Sequence, residues 1–210
     1  MQLEILSVGP FEANCYLITG DGNQTLVLDP GAEPERVADY LSAHHLTVAA
    51  YALTHGHADH VCALAELARR FPAEVWLHPA DAAWAFGPGN QIPGFYAVPS
   101  RPATPLRELT AAQAPQISGL TIEALETPGH SPGGVALYLP AEHTCFTGDT
   151  LFKGSVGRTD LPGGDSRALA QSLRRLAELP DGALLYPGHG PASTLGAEKK
   201  SNYFLINGLG

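Results

Sequence analysis

Residues 54–60, T-H-G-H-A-D-H, place four possible metal ligands within six positions of the chain. They follow an apolar run that predicts a strand and precede a segment with helical spacing. Four ligands so close together cannot share one helical face or one strand edge, so the backbone must turn sharply, which Gly56 permits. Imidazole and carboxylate groups suit zinc, iron or manganese. The cluster therefore predicts a metal site where a strand ends.

Three further candidate ligands each follow a glycine at the end of a predicted strand. His130 lies in T-P-G-H-S-P-G, Asp149 in F-T-G-D-T-L-F and His189 in Y-P-G-H-G-P. Histidines scattered by chance through polar loops are the alternative interpretation, but this recurrence of compatible groups argues against it. We expect the ligands to be gathered from separate elements at one edge of a rigid scaffold.

The remaining pattern predicts one domain of mixed α and β structure, a size for which 210 residues suffice. Strands occur in two series, each followed by helices, which indicates two packed sheets with helices outside. The predicted strands are Leu3–Val8, Cys15–Thr19, Thr25–Leu28, Ala49–Leu53, Val75–Leu77, Leu120–Leu125, Val135–Leu139, Thr144–Thr147 and Ala183–Tyr186. The predicted helices are Glu33–Ala43, Val61–Phe71 and Ser166–Leu179.

Between Phe86 and Pro105 the chain holds five prolines and several glycines, which predicts an irregular loop. Long loops in compact domains are often functional. We expect Phe95 and Tyr96 to offer apolar surface to a substrate at the entrance of the site. The alternative is a stiff surface connection without a ligand.

Charge and hydropathy exclude several classes of protein. The net charge is −9, with 12 basic and 21 acidic residues, which argues against nucleic acid as a partner. A small anionic substrate stays possible because bound cations can dominate the local field. No apolar run reaches the roughly 18 residues of a membrane-spanning helix, and the start lacks the features of a signal peptide. We therefore expect a cytoplasmic protein that does not associate with a membrane.

With these motifs, the chain resembles the metallo-β-lactamase fold superfamily over nearly its full length. It is most similar to the short glyoxalase II-like group, the hydroxyacylglutathione hydrolase-like proteins. The resemblance implies an αββα four-layer sandwich with two divalent metals at one edge. It assigns the first metal to His55, His57 and His130, the second to Asp59, His60 and His189, and both to Asp149. Asp29 would support the site from outside the ligand set.

The same resemblance implies a metal-dependent hydrolase that cleaves a thioester such as S-lactoylglutathione. A hydroxide bridging the two metals would attack the carbonyl, with Asp59 orienting it as a catalytic residue. Zinc is the expected metal, with iron or manganese as alternatives. Metallo-β-lactamases proper lack the bridging aspartate, and the nucleases of this superfamily carry a large inserted domain.

Substrate binding is less defined by the resemblance. Residues 1–210 are expected to form a single metallo-hydrolase domain without the C-terminal helical domain through which classical glyoxalase II binds glutathione. Arg158 occupies the position of a glutathione-binding lysine and is a candidate substrate contact. A structural arginine paired with Asp160 is the alternative.

A persulfide dioxygenase of the same fold is the main alternative function. It would use one iron, here at His55, His130 and Asp149. The G-R-T-D of residues 157–160 favours this alternative, whereas the Y-P-G-H-G-P of residues 186–191 favours the hydrolase. The acyl group, the thiol carrier and the oligomeric state stay open, and a binding module without catalysis is a more distant third interpretation.

Overall fold

Six strands form the first sheet in the computed structural model, which describes residues 1–208 and so leaves the last two residues of the predicted domain outside. Their order is sequential, β1 to β6, with the first three antiparallel and the last four parallel. The strands are β1 Gln2–Val8, β2 Ala13–Thr19, β3 Gln24–Leu28, β4 Thr47–Ala52, β5 Glu74–Leu77 and β6 Leu106–Glu108.

The second sheet is assembled from the C-terminal half of the chain. Its five strands are β7 Glu123–Glu126, β8 Val135–Leu139, β9 Thr144–Gly148, β12 Leu184–Pro187 and β13 Ser193–Thr194. Between β9 and β12 the chain forms a separate two-stranded ribbon of β10 Leu151–Phe152 and β11 Ser155–Val156. The order is β13-β12-β9-β8-β7, and only β9 and β12 run parallel. Parallel neighbours end at the same edge, which brings the residues that follow β9 and β12 together.

Within residues 1–208, seven α-helices connect or cover the strands. They are α1 Pro34–Ala43, α2 Ala58–Val61, α3 Leu64–Arg70, α4 Pro79–Ala82, α5 Ser166–Ala177, α6 Leu195–Ser201 and α7 Tyr203–Asn207. Asp165 caps α5 by accepting hydrogen bonds from the backbone N–H groups of Arg167 and Ala168. In the described part of the chain, no helix is both long and apolar enough to cross a membrane.

Three apolar clusters separate four layers, which confirms the predicted αββα sandwich. Along β2, Tyr16 and Ile18 face the second sheet, while Cys15 and Leu17 face α1 and α3. This alternation follows from the two-residue period of a strand, and β2 is buried on both faces. A third cluster packs α5 against the outer face of the second sheet.

Two predicted elements are wrong in their extent. The predicted helix Val61–Phe71 is broken into α2 and α3, because the N–H of Ala63 donates to the Pro30 carbonyl, 3.0 Å away, instead of continuing the helix. The predicted strand Leu120–Leu125 begins only at Glu123, since the N–H of Leu120 donates back to Ile117 and closes a turn.

The segment Phe86–Pro105 contains no helix and no regular strand, as predicted from its prolines and glycines. Its backbone has one isolated bridge, between Ile92 and Tyr96. The sequence patterns predicted no element for the short strands β6, β10, β11 and β13 or for the helices α4, α6 and α7.

Candidate metal centre

All seven predicted ligands converge at one edge of the sandwich, where strands end. The 54–60 cluster follows β4, Asp149 follows β9 and His189 follows β12. His57 precedes α2, and Asp59 and His60 lie within this short helix. Their role as ligands stays a prediction, whereas their proximity is a feature of the fold.

The first group consists of His55, His57 and His130, whose ligand atoms lie within 4.8 Å of one another. Nδ1 of His57 is 2.9 Å from Nε2 of His130. Nδ1 of His130 lies 2.9 Å from the Arg158 carbonyl, to which only a protonated nitrogen can donate. In the neutral ring, this leaves the lone pair of Nε2 pointing into the group, as a metal ligand requires.

The second group consists of Asp59, His60 and His189. Nε2 of His60 lies 3.1 Å from Nε2 of His189, and Oδ2 of Asp59 lies 3.4 Å from Nε2 of His189. Each imidazole is oriented by a contact at its Nδ1 atom. Nδ1 of His60 lies 3.2 Å from Oδ2 of Asp29, and Nδ1 of His189 lies 2.9 Å from the Phe11 carbonyl. The predicted supporting position of Asp29 matches this geometry.

Asp149 lies between the two groups. Its Oδ2 is 3.5 Å from Nε2 of His130 and 3.6 Å from that of His189, and its Oδ1 is 3.6 Å from Nε2 of His60. Within residues 1–208, Asp149 Oδ1 and His55 Nε2 are buried without a hydrogen-bonding partner. Such an atom normally costs about 1–3 kcal/mol. Five imidazoles and two carboxylates with these unpaired atoms fit two divalent cations.

The electrostatics of the two groups differ. Burial, and then the neighbouring histidines, lower the pKa of His55 and bring that of His57 to about 3, which keeps both rings neutral. Burial opposes charge on His60 too, but the carboxylates of Asp59 and Asp149 raise its pKa to about 10. Burial favours the protonated form of Asp59, yet His60, His189 and His57 together outweigh burial and lower the pKa of that carboxyl. The second group is therefore a region of opposite charges in which a cation can replace a proton.

Phe95 and Tyr96, the two aromatic residues predicted to contact the substrate, differ in their exposure to solvent. Phe95 is 59% exposed, whereas Tyr96 is only 6% exposed and packs edge-on against Phe11, with ring centroids 5.4 Å apart. Both line a cavity of about 570 Å³ between their loop and the turn that joins β1 to β2. Because the Phe11 carbonyl also contacts His189, this turn touches both the loop and the second ligand group.

The Arg158 side chain is engaged at the surface. Its Nε and terminal nitrogen donate to the two carboxylate oxygens of Asp160, at 2.6 and 2.7 Å. The arginine contacts the candidate metal centre through its carbonyl, which accepts from His130. This geometry agrees with the structural alternative and leaves a substrate contact untested.

Three residues of the site escape prediction from sequence. Phe11 acts through its backbone carbonyl, for which a sequence carries no signal. Asp81 and Asn90 are isolated polar residues in no motif, yet both are buried and hydrogen-bond to the backbone of the 54–60 cluster.

Comparisons with known proteins agree with this geometry. The model of the Metallo-beta-lactamase superfamily matches residues 8–189. A hydroxyacylglutathione hydrolase GloC of Haemophilus influenzae is 36% identical over 208 residues, covering 98% of each chain. The crystal structure of BLEG-1 B3 metallo-beta-lactamase has a TM-score of 0.90 at 34% identity, covering 98% of this chain and 100% of that one. The structure of TTHA1623 in a di-iron-bound form has a TM-score of 0.82 at 41% identity, covering 96% and 100%.

Proposed function

The chain belongs to the metallo-beta-lactamase superfamily, and on this premise we propose that it is a metal-dependent hydrolase of thioesters such as S-lactoylglutathione. The observation that carries the proposal is the position of Asp149, whose carboxylate lies within 3.6 Å of histidine nitrogens from both groups. A carboxylate shared in this way supports two cations held close together. The similarity to a hydroxyacylglutathione hydrolase supports the substrate class.

Two divalent cations at these groups would supply hydroxide at neutral pH and polarise the substrate carbonyl. The chain itself contributes orientation and proton handling. Asp59 is buried and ionised, so its carboxylate can accept a hydrogen bond from the attacking nucleophile and orient it. His130 and His189 are fixed through their Nδ1 atoms by backbone carbonyls, so their Nε2 atoms need no reorganisation on binding.

The surroundings of the site suit a substrate with an apolar or mixed carrier. The rings of Phe11 and Phe95 are tilted at 47° to each other with centroids 5.1 Å apart, and the Phe152 ring lies 6.4 Å from the His189 ring. These rings give the approach an aromatic rim. An anionic thioester would also be attracted, since two cations, two carboxylates and a hydroxide leave a local charge of about +1.

The Arg158–Asp160 pair bears on affinity. Before Arg158 could bind a substrate carboxylate, it would have to leave a bidentate contact with Asp160. Reaction at the carbonyl depends on the metals, whereas affinity for a distant peptide depends on such contacts. We therefore expect a high KM for glutathione thioesters and tolerance of the thiol carrier.

The direct test combines metal analysis with two substrates. Protein purified without added metal, and then loaded with zinc, is assayed for S-lactoylglutathione hydrolysis, for β-lactam hydrolysis and for metal content per chain. The proposal predicts two metals per chain and thioester turnover that a chelator abolishes and zinc restores. Two metals with β-lactam hydrolysis and no thioester cleavage would contradict the substrate class.

A persulfide dioxygenase is the second candidate function, favoured by one observation. Among the seven candidate ligands, the two buried atoms without hydrogen-bonding partners are His55 Nε2 and Asp149 Oδ1, and both belong to the His55, His130 and Asp149 set that one iron would use. The discriminating assay is oxygen uptake with glutathione persulfide after iron loading. Rapid uptake, one iron per chain and no thioester cleavage with zinc would favour the dioxygenase.

A further inference from the structure

Asp81, in α4, connects the two loops that carry the first ligand group. Its side chain is fully buried, and its Oδ2 accepts hydrogen bonds from the Gly56 N–H at 2.8 Å and the Ser131 hydroxyl at 2.7 Å. Its Oδ1 accepts from the Gly133 N–H at 2.6 Å. Gly56 lies between His55 and His57, and Ser131 directly follows His130. One carboxylate therefore holds both loops.

Close approach of α4 to these loops depends on glycine. A Cβ atom at Gly56 would lie 2.9 Å from Cβ of Ala85 and 3.2 Å from that of Asp81. A Cβ atom at Gly133 would lie 2.8 Å from Oδ1 of Asp81. Gly56 thus serves close packing in the folded chain, and its φ angle is not in the left-handed region.

Asn90 binds the carbonyl group of the same glycine. Its amide nitrogen donates to the Gly56 carbonyl at 2.7 Å and to the Ala85 carbonyl at 2.6 Å, while its Oδ1 accepts from the Ala58 N–H at 3.1 Å. With the Gly56 N–H bound by Asp81 and its carbonyl bound by Asn90, the segment between the two histidines has both polar groups fixed.

We propose that Asp81 is a positioning residue for the first metal, because it sets the distance between the His55–His57 loop and the His130 loop. This inference rests on the proposed function for the identity of the two metal groups. The second group has anchors of its own, through Asp29 and the Phe11 carbonyl. Loss of Asp81 therefore affects the first metal selectively.

Asp81→Asn is the informative substitution because it preserves shape. An asparagine oxygen at the Oδ2 position still accepts from Gly56 and Ser131, but its NH₂ group then faces the Gly133 N–H and loosens the His130 loop. Changing a group that hydrogen-bonds a metal-binding histidine directly typically lowers metal affinity about 10–100-fold. Because Asp81 holds the loops and not the imidazoles themselves, we expect a loss of about 10-fold, at the lower end of that range. We expect this loss for one metal, with the affinity of the other unchanged.

Glu198→Gln is a matched control. Glu198 is also a buried carboxylate with three donors: the Gly154 N–H at 2.8 Å, the Asn202 amide at 2.9 Å and the Ser193 hydroxyl. None of these donors is a candidate ligand. This variant should lose thermal stability as Asp81→Asn does, yet bind both metals with wild-type affinity.

The experiment is a zinc titration of metal-free protein against a chromophoric chelator, with thermal unfolding of each metal-free variant. Asp81→Asn is also combined with His57→Ala, which disables the first group, or with His189→Ala, which disables the second. We expect the loss of affinity to persist with His189→Ala and to vanish with His57→Ala.

Two results would overturn this inference while leaving the proposed function intact. The first is an unchanged zinc affinity at both sites in Asp81→Asn. The second is an equal loss of zinc affinity at both sites in Asp81→Asn, with the same loss in Glu198→Gln. A wild-type chain that binds no zinc would overturn both the inference and the proposed function. If Asp81→Ala fails to fold, the isosteric variant still decides the question.

Discussion

Replacing Asp29 by asparagine tests how the second ligand group is supported. Asp29 is buried, and its carboxylate accepts from the Thr54 N–H at 2.7 Å and the Thr54 hydroxyl at 2.6 Å, while lying 3.2 Å from Nδ1 of His60. Its φ angle of 52° is left-handed, a conformation that asparagine tolerates better than alanine. Asparagine therefore changes the acceptor with little backbone strain.

The expected loss follows from these contacts. The asparagine oxygen can keep the Thr54 N–H bond, which puts its NH₂ group beside the Thr54 hydroxyl and His60. Each hydrogen bond to a charged group contributes about 1.5–3 kcal/mol, so the loss of two amounts to about 3–6 kcal/mol. Removal of one partner of a buried charge pair costs about 3–5 kcal/mol, and we expect the free energy of unfolding to fall by that amount. For a chain of this size the melting temperature should fall by about 6–20 °C.

Metal affinity should fall for a separate reason. An NH₂ group next to Nδ1 of His60 favours the tautomer with a proton on Nε2, the atom that faces Asp149 and the second metal. We expect about 10–100-fold weaker binding of that metal, with the first metal retained. Asp29→Asn is thus expected to weaken binding of the second metal, whereas Asp81→Asn is expected to weaken binding of the first.

The assays are urea unfolding of the metal-free protein, calorimetric melting and a chelator-competition titration with zinc. Thr54→Val serves as an intermediate variant, because it removes only the hydroxyl contacts of Asp29 and His55. A loss of less than about 1 kcal/mol in Asp29→Asn, the net value of an ordinary hydrogen bond, would refute the energetic reasoning. Unchanged affinity for both metals would refute the tautomer argument.

Four further predictions concern the metals, pH and the substrate. Asp149→Ala should lower the affinity of both metals and reduce turnover more than His57→Ala does; elemental analysis that still finds two metals in Asp149→Ala would exclude the bridging role. In metal-free protein, the raised pKa of His60 contributes stability that is fully present below the ordinary value of 6.5 and is lost as the pH rises through about 10. The difference in unfolding free energy between wild type and His60→Gln should therefore shrink over that range in urea titrations, and a constant difference would contradict the shift. Replacing Phe95 and Tyr96 by alanine should raise KM with unchanged metal content, so unaltered kinetics would reduce the loop to a packing role. Arg158→Ala should raise KM for glutathione thioesters if it binds the substrate, whereas an equal effect of Asp160→Ala would assign both to structure.

Much of the fold follows from local pattern in the chain. Short, mostly apolar runs in β2, β4 and β9 predict strands, because a run of this length bounded by turn residues is typical of a strand buried on both faces. The prolines and glycines between Phe86 and Pro105 predict an irregular segment because they exclude both helix and ladder hydrogen bonds. Where such patterns are weaker, the predicted ends of strands are wrong. Leu120 is apolar like a strand residue, but its N–H donates to the Ile117 carbonyl in a turn, so it lies outside β7.

The candidate ligands were recognisable because their chemistry is rare and concentrated. Imidazoles and carboxylates recur after glycine at strand ends, and this spacing has no simple explanation in packing. The supporting residues lack such a signal, since Asp81 and Asn90 look in the sequence like ordinary polar residues outside any motif. Tyr96 illustrates the reverse case, in which adjacent aromatics have the same sequence pattern but opposite exposure.

The sequence by itself therefore determined the kinds of groups at the site, the strands that present them and the class of fold. Only the tertiary structure decided which atoms meet: the position of Asp149 between two groups, the orientation of His189 by the Phe11 carbonyl, and the hold of Asp81 on two loops. The physical reason is the range of each interaction. Periodicity and turn preference act over a few neighbouring residues, whereas a tertiary hydrogen bond joins groups as far apart as His189 and Phe11, separated by 178 positions, which only the packed sheets bring together.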